Sequence, residues 1–449
     1  MALYNLPPTL TLLQEAIRHQ RVSPKEALDA QRACMRAGDA RFHALVEELA
    51  PADPGTGPLA GIGLAHKDIF DTAGRRPGAG HDAGAADASR TAATVIARLQ
   101  AAGASQLATL AMAEFACGAT GDNPGFPDCI NPLHPDAAVG GSSSGSAVAV
   151  ASGMVYAALG TDTAGSVRIP AATCALLGLK TTHGLVSTDG VVPLAPSLDS
   201  VGILARSASD ALQLLEVIAE PDLLRPTANR AFHIAAWFPE EGLHADVAAT
   251  LEQFAAESGA SDRLPTWPSL PDLGKLNEIV LHTEAAATHR VALLDGSVSP
   301  SVEAVALPGL VIPRDWYDAS LADRARQLRL FVSDQLGDHD LLLLPALPQP
   351  VPDRDTVTPG RPGFDVRQLL ALHRHMGFVN YLGCPSMVIP VARDARGLPI
   401  SVQVLARPFH ERDLLAFAAQ VETRLFGASA ADGSSSFTAH FSEHLQKAS

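Results

Sequence analysis

Cysteine is scarce in this sequence, and its spacing excludes two common ways of stabilising a chain. The five cysteines are an odd number and are scattered over positions 34, 117, 129, 174 and 384. Such a set does not form a disulfide framework, and no pair has the C-x-x-C spacing of a zinc site. We therefore expect a protein without a bound metal, folded in a reducing compartment, the cytoplasm.

Clusters of basic residues are also missing. The chain has 33 Lys and Arg against 48 Asp and Glu, a net charge of −15, and its basic runs are no longer than pairs such as Arg75 and Arg76. Phosphate backbones are bound by clustered Lys and Arg, so a direct nucleic-acid partner is disfavoured. A nucleotide cofactor is disfavoured too, because no Gly-Lys-Ser/Thr ends a glycine loop and no G-x-G-x-x-G follows a strand. We expect an enzyme that needs no cofactor.

Long apolar runs are absent as well. The longest weakly polar run, 146–160, contains glycine and is shorter than the roughly 20 residues of a membrane-spanning helix. The start, MALYNLPPTL, lacks the basic and apolar regions of a secretory signal. Hydrophobic residues make up 47% of the chain and charged residues 18%, which is enough for a sizeable core. We expect a soluble protein with no membrane partner.

The elements that are present alternate between helix and strand signals. A capping box at Ser23 to Glu26 predicts a helix that begins at Pro24. Helix 91–102, followed by a buried strand at 106–110, is typical of a layered α/β fold with a mainly parallel sheet. Further helices are predicted at 10–19, 147–151, 169–177, from 207, and at 245–257, 275–293, 321–335 and 411–425, and further strands at 59–70, 341–344, 386–391 and 400–406. The segment 178–186 has the composition of turns.

These elements predict one domain over 1–449. Its core is formed by 58–221 and 341–426. The interval 222–340 contains amphipathic helices and no motif, so we expect a helical cover over the sheet that sets substrate specificity. The small, polar residues of 427–449 predict a loosely held tail.

Two turns rich in glycine and serine, 140–146 and 160–166, are the candidate site. The first has the composition of a linker, but it continues directly into the apolar run 147–151, which predicts a buried helix. In the second, three small residues precede Ser166. Backbone N–H groups of such residues can converge on one point and form an oxyanion hole. Ser166 is therefore a candidate nucleophile, and its hydroxyl needs a base.

Lys67 is the candidate base that remains. No Asp-His pair is placed to activate Ser166, and the G-x-S-x-G elbow is absent. Lys67 ends an apolar strand, where a lysine either extends its amine to water or is buried and partly neutral. Ser142, on the first glycine turn, is the obvious relay between the two. His66 should face the opposite side of the strand, in the core or behind the site.

Two other groups of side chains are interpreted as structural. Cys117 is expected to be a buried thiol rather than a nucleophile. His373 and His375 are two residues apart, do not share a helix face and have no carboxylate nearby, which disfavours a metal site.

The two turns together resemble the amidase signature family. The chain reads GGSSSGSA at 140–147 and GTDTAGSVRIPA at 160–171, where that family has GGSSGGS followed by D-x-G-G-S-x-R-x-P. The resemblance continues in LAHKDIFDTAG, MAEFACGAT, GLKTTHGLVS, SLDSVGILARSASDALQLL and FVNYLGCPSMVIPV. It implies an α/β/α fold in which a central mixed sheet is covered by helices on both faces.

The resemblance also implies a Ser-cisSer-Lys triad. Ser166 corresponds to the nucleophile, Ser142 to the relay serine after a cis peptide bond, and Lys67 to the neutral general base. The oxyanion would be bound by the backbone N–H groups of Thr163, Ala164, Gly165 and Ser166, and the site supported by Ser143, Asp162 and Arg168. The implied reaction is hydrolysis of a small carboxylic amide, the expected partner, through an acyl-serine intermediate.

Two departures from the family pattern leave alternatives open. Ser144 and Ala164 each occupy a position where the family usually has glycine. Alanine at position 164 would be strained if that position needs a positive φ. Thr-Ala-Gly-Ser is also familiar in allophanate and carboxybiuret hydrolases. A further alternative is the glutamine-hydrolysing subunit of a tRNA-dependent amidotransferase, and another is an inactive homologue retained for binding. A homo-oligomer is compatible with all of these.

Overall fold

The computed structural model describes residues 6–50, 53–81, 85–86, 90–228, 230–260, 262–264, 267 and 269–427. The helices are α1 (Leu10–Arg18), α2 (Pro24–Phe42), α3 (Thr94–Ala101), α4 (Ser144–Ala151), α5 (Arg168–Thr173), α6 (Ala208–Ile218), α7 (Ala245–Glu257), α8 (Leu270–Thr288), α9 (Arg290–Leu294), α10 (Pro300–Ala306), α11 (Arg314–Leu330), α12 (Arg354–Val357), α13 (Val366–His373), α14 (Gly377–Leu382) and α15 (Glu411–Phe426). The strands are β1 (Leu45–Glu48), β2 (Gly63–Lys67), β3 (Arg75–Arg76), β4 (Ala85–Ala86), β5 (Ser105–Leu110), β6 (Ala157–Asp162), β7 (Leu177–Lys180), β8 (Ser200–Ala205), β9 (Ile234–Ala236), β10 (Asp262–Arg263), β11 (Leu341–Pro345), β12 (Ser386–Arg393) and β13 (Pro399–Ala406).

One mixed sheet organises the fold, with the order β1-β5-β2-β6-β8-β7-β12-β13-β11-β9-β10. Strand β2 runs parallel to β5 and β6, and β9 runs parallel to β10 and β11. The other neighbours are antiparallel. The mixed sheet that the family resemblance implies is thus confirmed, and the expectation of a mainly parallel sheet is wrong. It is wrong because β6, β7 and β8 contain alanine and glycine in place of a clear strand pattern.

Alternate residues of the central strands face two different helix layers. In β2, β6 and β8, the side chains of Leu64, Leu159 and Ile203 pack in a cluster with residues of α3, α6 and α15. Their neighbours Ala65, Ala158 and Leu204 pack with the small residues of α4 on the other side. Successive side chains of a strand point to opposite faces, so the sheet is covered by helices on both faces.

The starts of α2 and α7 agree with the sequence patterns, whereas α8 begins five residues before the predicted position 275 and α11 begins seven residues before 321. Ser23 caps α2: its Oγ accepts a hydrogen bond from the Glu26 N–H, and Glu26 Oε2 accepts one from the Ser23 N–H, as a capping box requires. Helix α7 occupies the predicted residues. The predicted helix 275–293 is interrupted at His289, where α8 ends and α9 begins.

The interval 222–340 is not entirely helical. Strands β9 and β10 lie in it and extend the sheet edge beyond β11. The sequence does not predict them, because a strand of two or three residues is too short to give a sequence pattern. Segment 178–186 has the composition of turns, but β7 extends to Lys180. The predicted loose tail lies outside the described residues except for Gly427. None of the described helices combines the length and apolar character needed to cross a lipid bilayer.

Candidate active site

Lys67 lies at the end of β2 with its side chain completely buried. Its Nζ is hydrogen-bonded to Ser142 Oγ at 2.6 Å and to Thr161 Oγ1 at 2.9 Å. Burial lowers the pKa of Lys67 to about 7, although the carboxylates of Asp199 and Asp162 act in the opposite direction. Of the two interpretations of this lysine, the structure has the buried one, and near neutral pH the amine can accept a proton.

Ser142 lies on a turn in which Gly141 has no room for a side chain. The Gly141–Ser142 peptide bond is cis, and the Ser142 side chain is fully buried. A Cβ at Gly141 would lie 2.6 Å from the Gly121 nitrogen. Ser144, which stands at a usual glycine, fits because its Oγ donates to the Gly121 carbonyl at 3.4 Å. The turn therefore fixes the Ser142 hydroxyl against Lys67.

Ser166 lies between β6 and α5, with 8% of the residue exposed. Its carbonyl accepts a hydrogen bond from the Ser143 N–H at 3.2 Å, which joins the two glycine turns. The Ser143 hydroxyl donates to the Thr161 carbonyl at 3.4 Å. Within the described part of the chain, Ser166 Oγ makes no hydrogen bond, so it is free to receive a substrate. The structure brings Lys67 and Ser142 into direct contact and joins Ser166 to them through the backbone of Ser143.

Three of the four predicted oxyanion amides are available. The N–H groups of Thr163, Ala164 and Ser166 donate to no acceptor among the residues that the structure describes. The Gly165 N–H donates to Asp162 Oδ1 at 2.9 Å. The Asp162 carboxylate thus already accepts the Gly165 proton in this structure, whereas the other three amides have no acceptor among the described residues.

Glycine is needed at position 165 rather than at 164. Gly165 has φ +118°, and a Cβ there would lie 2.8 Å from the Met376 side chain. Ala164 is not among the residues with positive φ. The alanine that departs from the family pattern is therefore accommodated without backbone strain.

Asp162 and Arg168 form a fully buried ion pair beneath the Ser166 loop, with a 2.8 Å contact. Burial alone would raise the pKa of Asp162, but the Arg168 guanidinium outweighs it and holds that pKa below its usual range. Asp162 also accepts hydrogen bonds from the backbone N–H groups of Gly165, Val167 and Arg168. Arg168 donates further to Asn380 Oδ1 at 2.7 Å and to Gln403 Oε1 at 2.6 Å. The loop is thereby tied to α14 and β13.

Sequence reasoning missed two residues of this site. Thr161 is the second partner of Lys67, and Asp199 accepts a hydrogen bond from Thr163 Oγ1 at 2.6 Å. Asp199 belongs to a segment that matches the family, SLDSVG, which was the available signal. Thr161 lies on β6 within the candidate turn 160–166, and its position in the motif GTDTAGSVRIPA was the available signal.

The remaining candidates make contacts around the site. His66 faces the other side of β2, bonded to Gln106 Oε1 at 2.9 Å, and burial lowers its pKa to about 4. Burial raises the pKa of the Cys117 thiol above its usual range, so the thiol stays protonated. His373 Nδ1 donates to the Ala164 carbonyl at 3.3 Å. In the described part of the chain, no three His, Cys, Asp or Glu side chains are grouped as metal ligands.

Comparison with known proteins gives a consistent result. The Amidase family model matches residues 30–255 and 292–415. A glutamyl-tRNA(Gln) amidotransferase subunit of Thermus thermophilus is 33% identical over 84% of this chain and 86% of its own. Amidase 1 of Oryza sativa is 32% identical over 78% of this chain and 87% of its own. A crystal structure of an amidase superposes with a TM-score of 0.82 and 29% identity, over 93% of this chain and 99% of the other.

Proposed function

The chain belongs to the amidase family, and on that basis we propose that it is an amidase that hydrolyses a small, non-peptide carboxylic amide. The products are a carboxylic acid and ammonia or an amine. The observation that carries the proposal is the 2.6 Å contact between the buried Lys67 amine and the Ser142 hydroxyl. A lysine with a pKa of about 7 is matched to general base catalysis near neutral pH.

Acylation begins at Ser166. In the proposed step the Ser166 hydroxyl, which has no hydrogen bond among the described residues, turns toward Ser142 Oγ. Neutral Lys67 then accepts the proton of Ser142 as Ser142 accepts that of Ser166, whose Oγ attacks the carbonyl carbon of the amide. The N–H groups of Thr163, Ala164 and Ser166 stabilise the negative charge on the carbonyl oxygen. Ser142 then returns a proton to the amide nitrogen, the C–N bond breaks, and ammonia or amine departs.

Deacylation uses the same groups in reverse. Water attacks the acyl carbon of the Ser166 ester while Lys67, through Ser142, accepts its proton. The tetrahedral intermediate occupies the same oxyanion position. Collapse returns the proton to Ser166 Oγ and releases the acid. The base, the relay and the oxyanion donors of both steps all come from the chain.

A second candidate function is hydrolysis of glutamine within an amidotransferase complex. Its support is the 33% identity to the Thermus amidotransferase subunit over most of both chains. A stand-alone amidase has comparable support from the 32% identity to Amidase 1. The Thr163-Ala164-Gly165-Ser166 sequence adds urea-derived amides, as in allophanate hydrolases, to the substrates to be tested.

Ammonia release by the purified chain separates these functions. The substrates are an aliphatic amide, an aryl amide, a urea-derived amide and glutamine, with Ser166→Ala as the inactive control. We expect release from at least one amide other than glutamine, and none from the variant. Release from glutamine alone would favour the amidotransferase function, and no release from any amide would contradict the proposal.

A further inference from the structure

Asp199 is a buried carboxylate that contacts the loop carrying the nucleophile. It precedes β8, and 8% of the residue is exposed. Oδ1 accepts a hydrogen bond from Thr163 Oγ1 at 2.6 Å, and Oδ2 accepts one from the Leu194 N–H at 2.9 Å. The Ala195 N–H also donates to this carboxylate. Thr163 is the first of the three residues whose amides are free to bind an oxyanion. Fixing its side chain restricts the direction of its N–H.

Asp199 is also the carboxylate near Lys67 that has no cationic partner of its own. The groups that act electrostatically on Lys67 are Asp199, Asp162 and the Cys117 thiol. Asp162 is paired with Arg168, and Cys117 is uncharged because burial raises its pKa. Asp199 forms no ion pair with any described residue. Burial raises the pKa of Asp199 to about 6, so above that pH Asp199 is the unpaired carboxylate that acts on the Lys67 ammonium formed during acylation.

The helices of 222–340 hold the segment that carries Asp199. Glu284 of α8 accepts a hydrogen bond from the Ser197 N–H at 2.8 Å, and Arg324 of α11 donates to the Ser197 carbonyl at 2.6 Å. Tyr317 OH donates to the second oxygen of Glu284 at 2.8 Å. Both backbone groups of Ser197, two residues before Asp199, are therefore fixed by side chains of the cover.

We propose that Asp199 is a positioning residue for the acyl-transfer reaction, acting through two separate interactions. Its hydrogen bond to Thr163 orients the first oxyanion amide, and its charge stabilises Lys67 after proton transfer. The inference rests on the proposed function. Asp199 touches neither the substrate nor the reacting atoms, so its effects are transmitted through Thr163 and Lys67.

Thr163→Val and Asp199→Asn separate the two interactions. We expect Thr163→Val to lower kcat about tenfold to a hundredfold, as loss of a hydrogen bond to a charged group predicts, with KM nearly unchanged. The acid limb of its pH profile should stay where it is. Asp199→Asn should lower kcat and also move the acid limb to lower pH, because the carboxylate no longer favours the Lys67 ammonium. Thr163→Ser restores the hydroxyl and is expected to recover activity.

Thr109→Val is the matched control. Thr109 is a buried threonine of β5 whose hydroxyl has no hydrogen-bond partner among the described residues, and it has no part in the site. The inference is overturned if Thr163→Val keeps the wild-type kcat, or if Asp199→Asn leaves the acid limb unmoved. If Asp199→Asn fails to fold, the Thr163 variants still decide the hydrogen-bond role. Failure of the proposed function is a different result: the wild type is inactive on every amide, or Ser166→Ala remains active.

Discussion

Arg168 contacts Asp162 at 2.8 Å in a position where neither side chain reaches solvent. A buried ion pair adds little folding stability compared with an apolar pair of the same shape, but removing one partner leaves an uncompensated buried charge. Here the pair also holds the backbone of the loop that carries Ser166. Stability and activity should therefore depend on it together.

Arg168→Met is expected to destabilise the fold by about 3–5 kcal/mol, because it leaves the Asp162 carboxylate buried and unpaired. Chemical unfolding monitored by circular dichroism measures the loss. Arg314→Met is the control, since Arg314 forms an exposed pair with Asp318 whose removal should leave unfolding close to the wild type. Equal effects of the two substitutions would contradict the importance of the buried pair.

Serine substitutions test the proposed relay. Ser166→Ala and Ser142→Ala should each lower kcat by at least about a thousandfold, because each removes a group through which the proton must pass. Ser152→Ala removes a hydroxyl at the other end of α4, where Ser152 Oγ donates to the Val148 carbonyl. That control should keep the wild-type rate. Steady-state ammonia release measures all three, and an active Ser142→Ala enzyme would refute the relay.

The loop backbone is expected to tolerate a change at position 164 but not at 165. Gly165→Ala should lower both stability and kcat, because Gly165 has φ +118° and a Cβ would clash with Met376. Ala164→Gly restores the family residue at a position without positive φ, so it should cost only the added freedom of the unfolded chain, about 0.4–1 kcal/mol. Thermal unfolding of the two variants should differ clearly, and equal melting temperatures would contradict the assigned backbone roles.

Glu422 makes stability depend on pH. It is a buried residue of α15 whose Oε1 accepts a hydrogen bond from the Ala208 N–H at 2.7 Å, and burial raises its pKa to about 8. A carboxyl whose pKa is higher in the folded state contributes stability at low pH that is lost as pH rises through the folded value. Between about pH 4.5, the ordinary pKa of a glutamate, and pH 8, Glu422 should therefore lower the melting temperature progressively.

Glu422→Gln keeps the acceptor for Ala208 and removes the titration. The variant should lose less stability than the wild type between about pH 5 and pH 8, as measured by thermal unfolding. Glu252→Gln, at an exposed pair with Arg263, is the control and should follow the wild type. The assignment fails if Glu422→Gln shows the same pH dependence as the wild type.

A helix or strand can be predicted from the sequence when neighbouring residues alone mark it. The capping box at Ser23 marks the start of α2, and the leucine run at 341–344 marks β11, because both depend on neighbouring residues alone. Strand β8, by contrast, reads SVGILA, and its strand character comes from pairing with β6 and β7. The antiparallel order of the sheet centre cannot be predicted without that pairing.

In the candidate site, too, some features follow from local motifs and others depend on packing between distant segments. Motifs identify Ser166, Ser142 and Lys67, but the sequence alone leaves Lys67 either exposed or buried. Its burial depends on β5, β6 and α4 packing around β2, which no local pattern encodes. The segment of Asp199 matches the family, but its contact with Thr163 cannot be predicted from the sequence because the two residues lie 36 positions apart in the chain.

The central claim is that a neutral, buried Lys67 activates Ser166 through Ser142. The pH dependence of covalent labelling by a fluorophosphonate, with the modified residue identified by mass spectrometry, tests it most directly. The claim predicts labelling at Ser166 at a rate that rises with pH through about 7, the pKa of Lys67, and that is lost in Lys67→Met. Labelling of another residue, or a rate at Ser166 that is independent of pH and of Lys67, would contradict it.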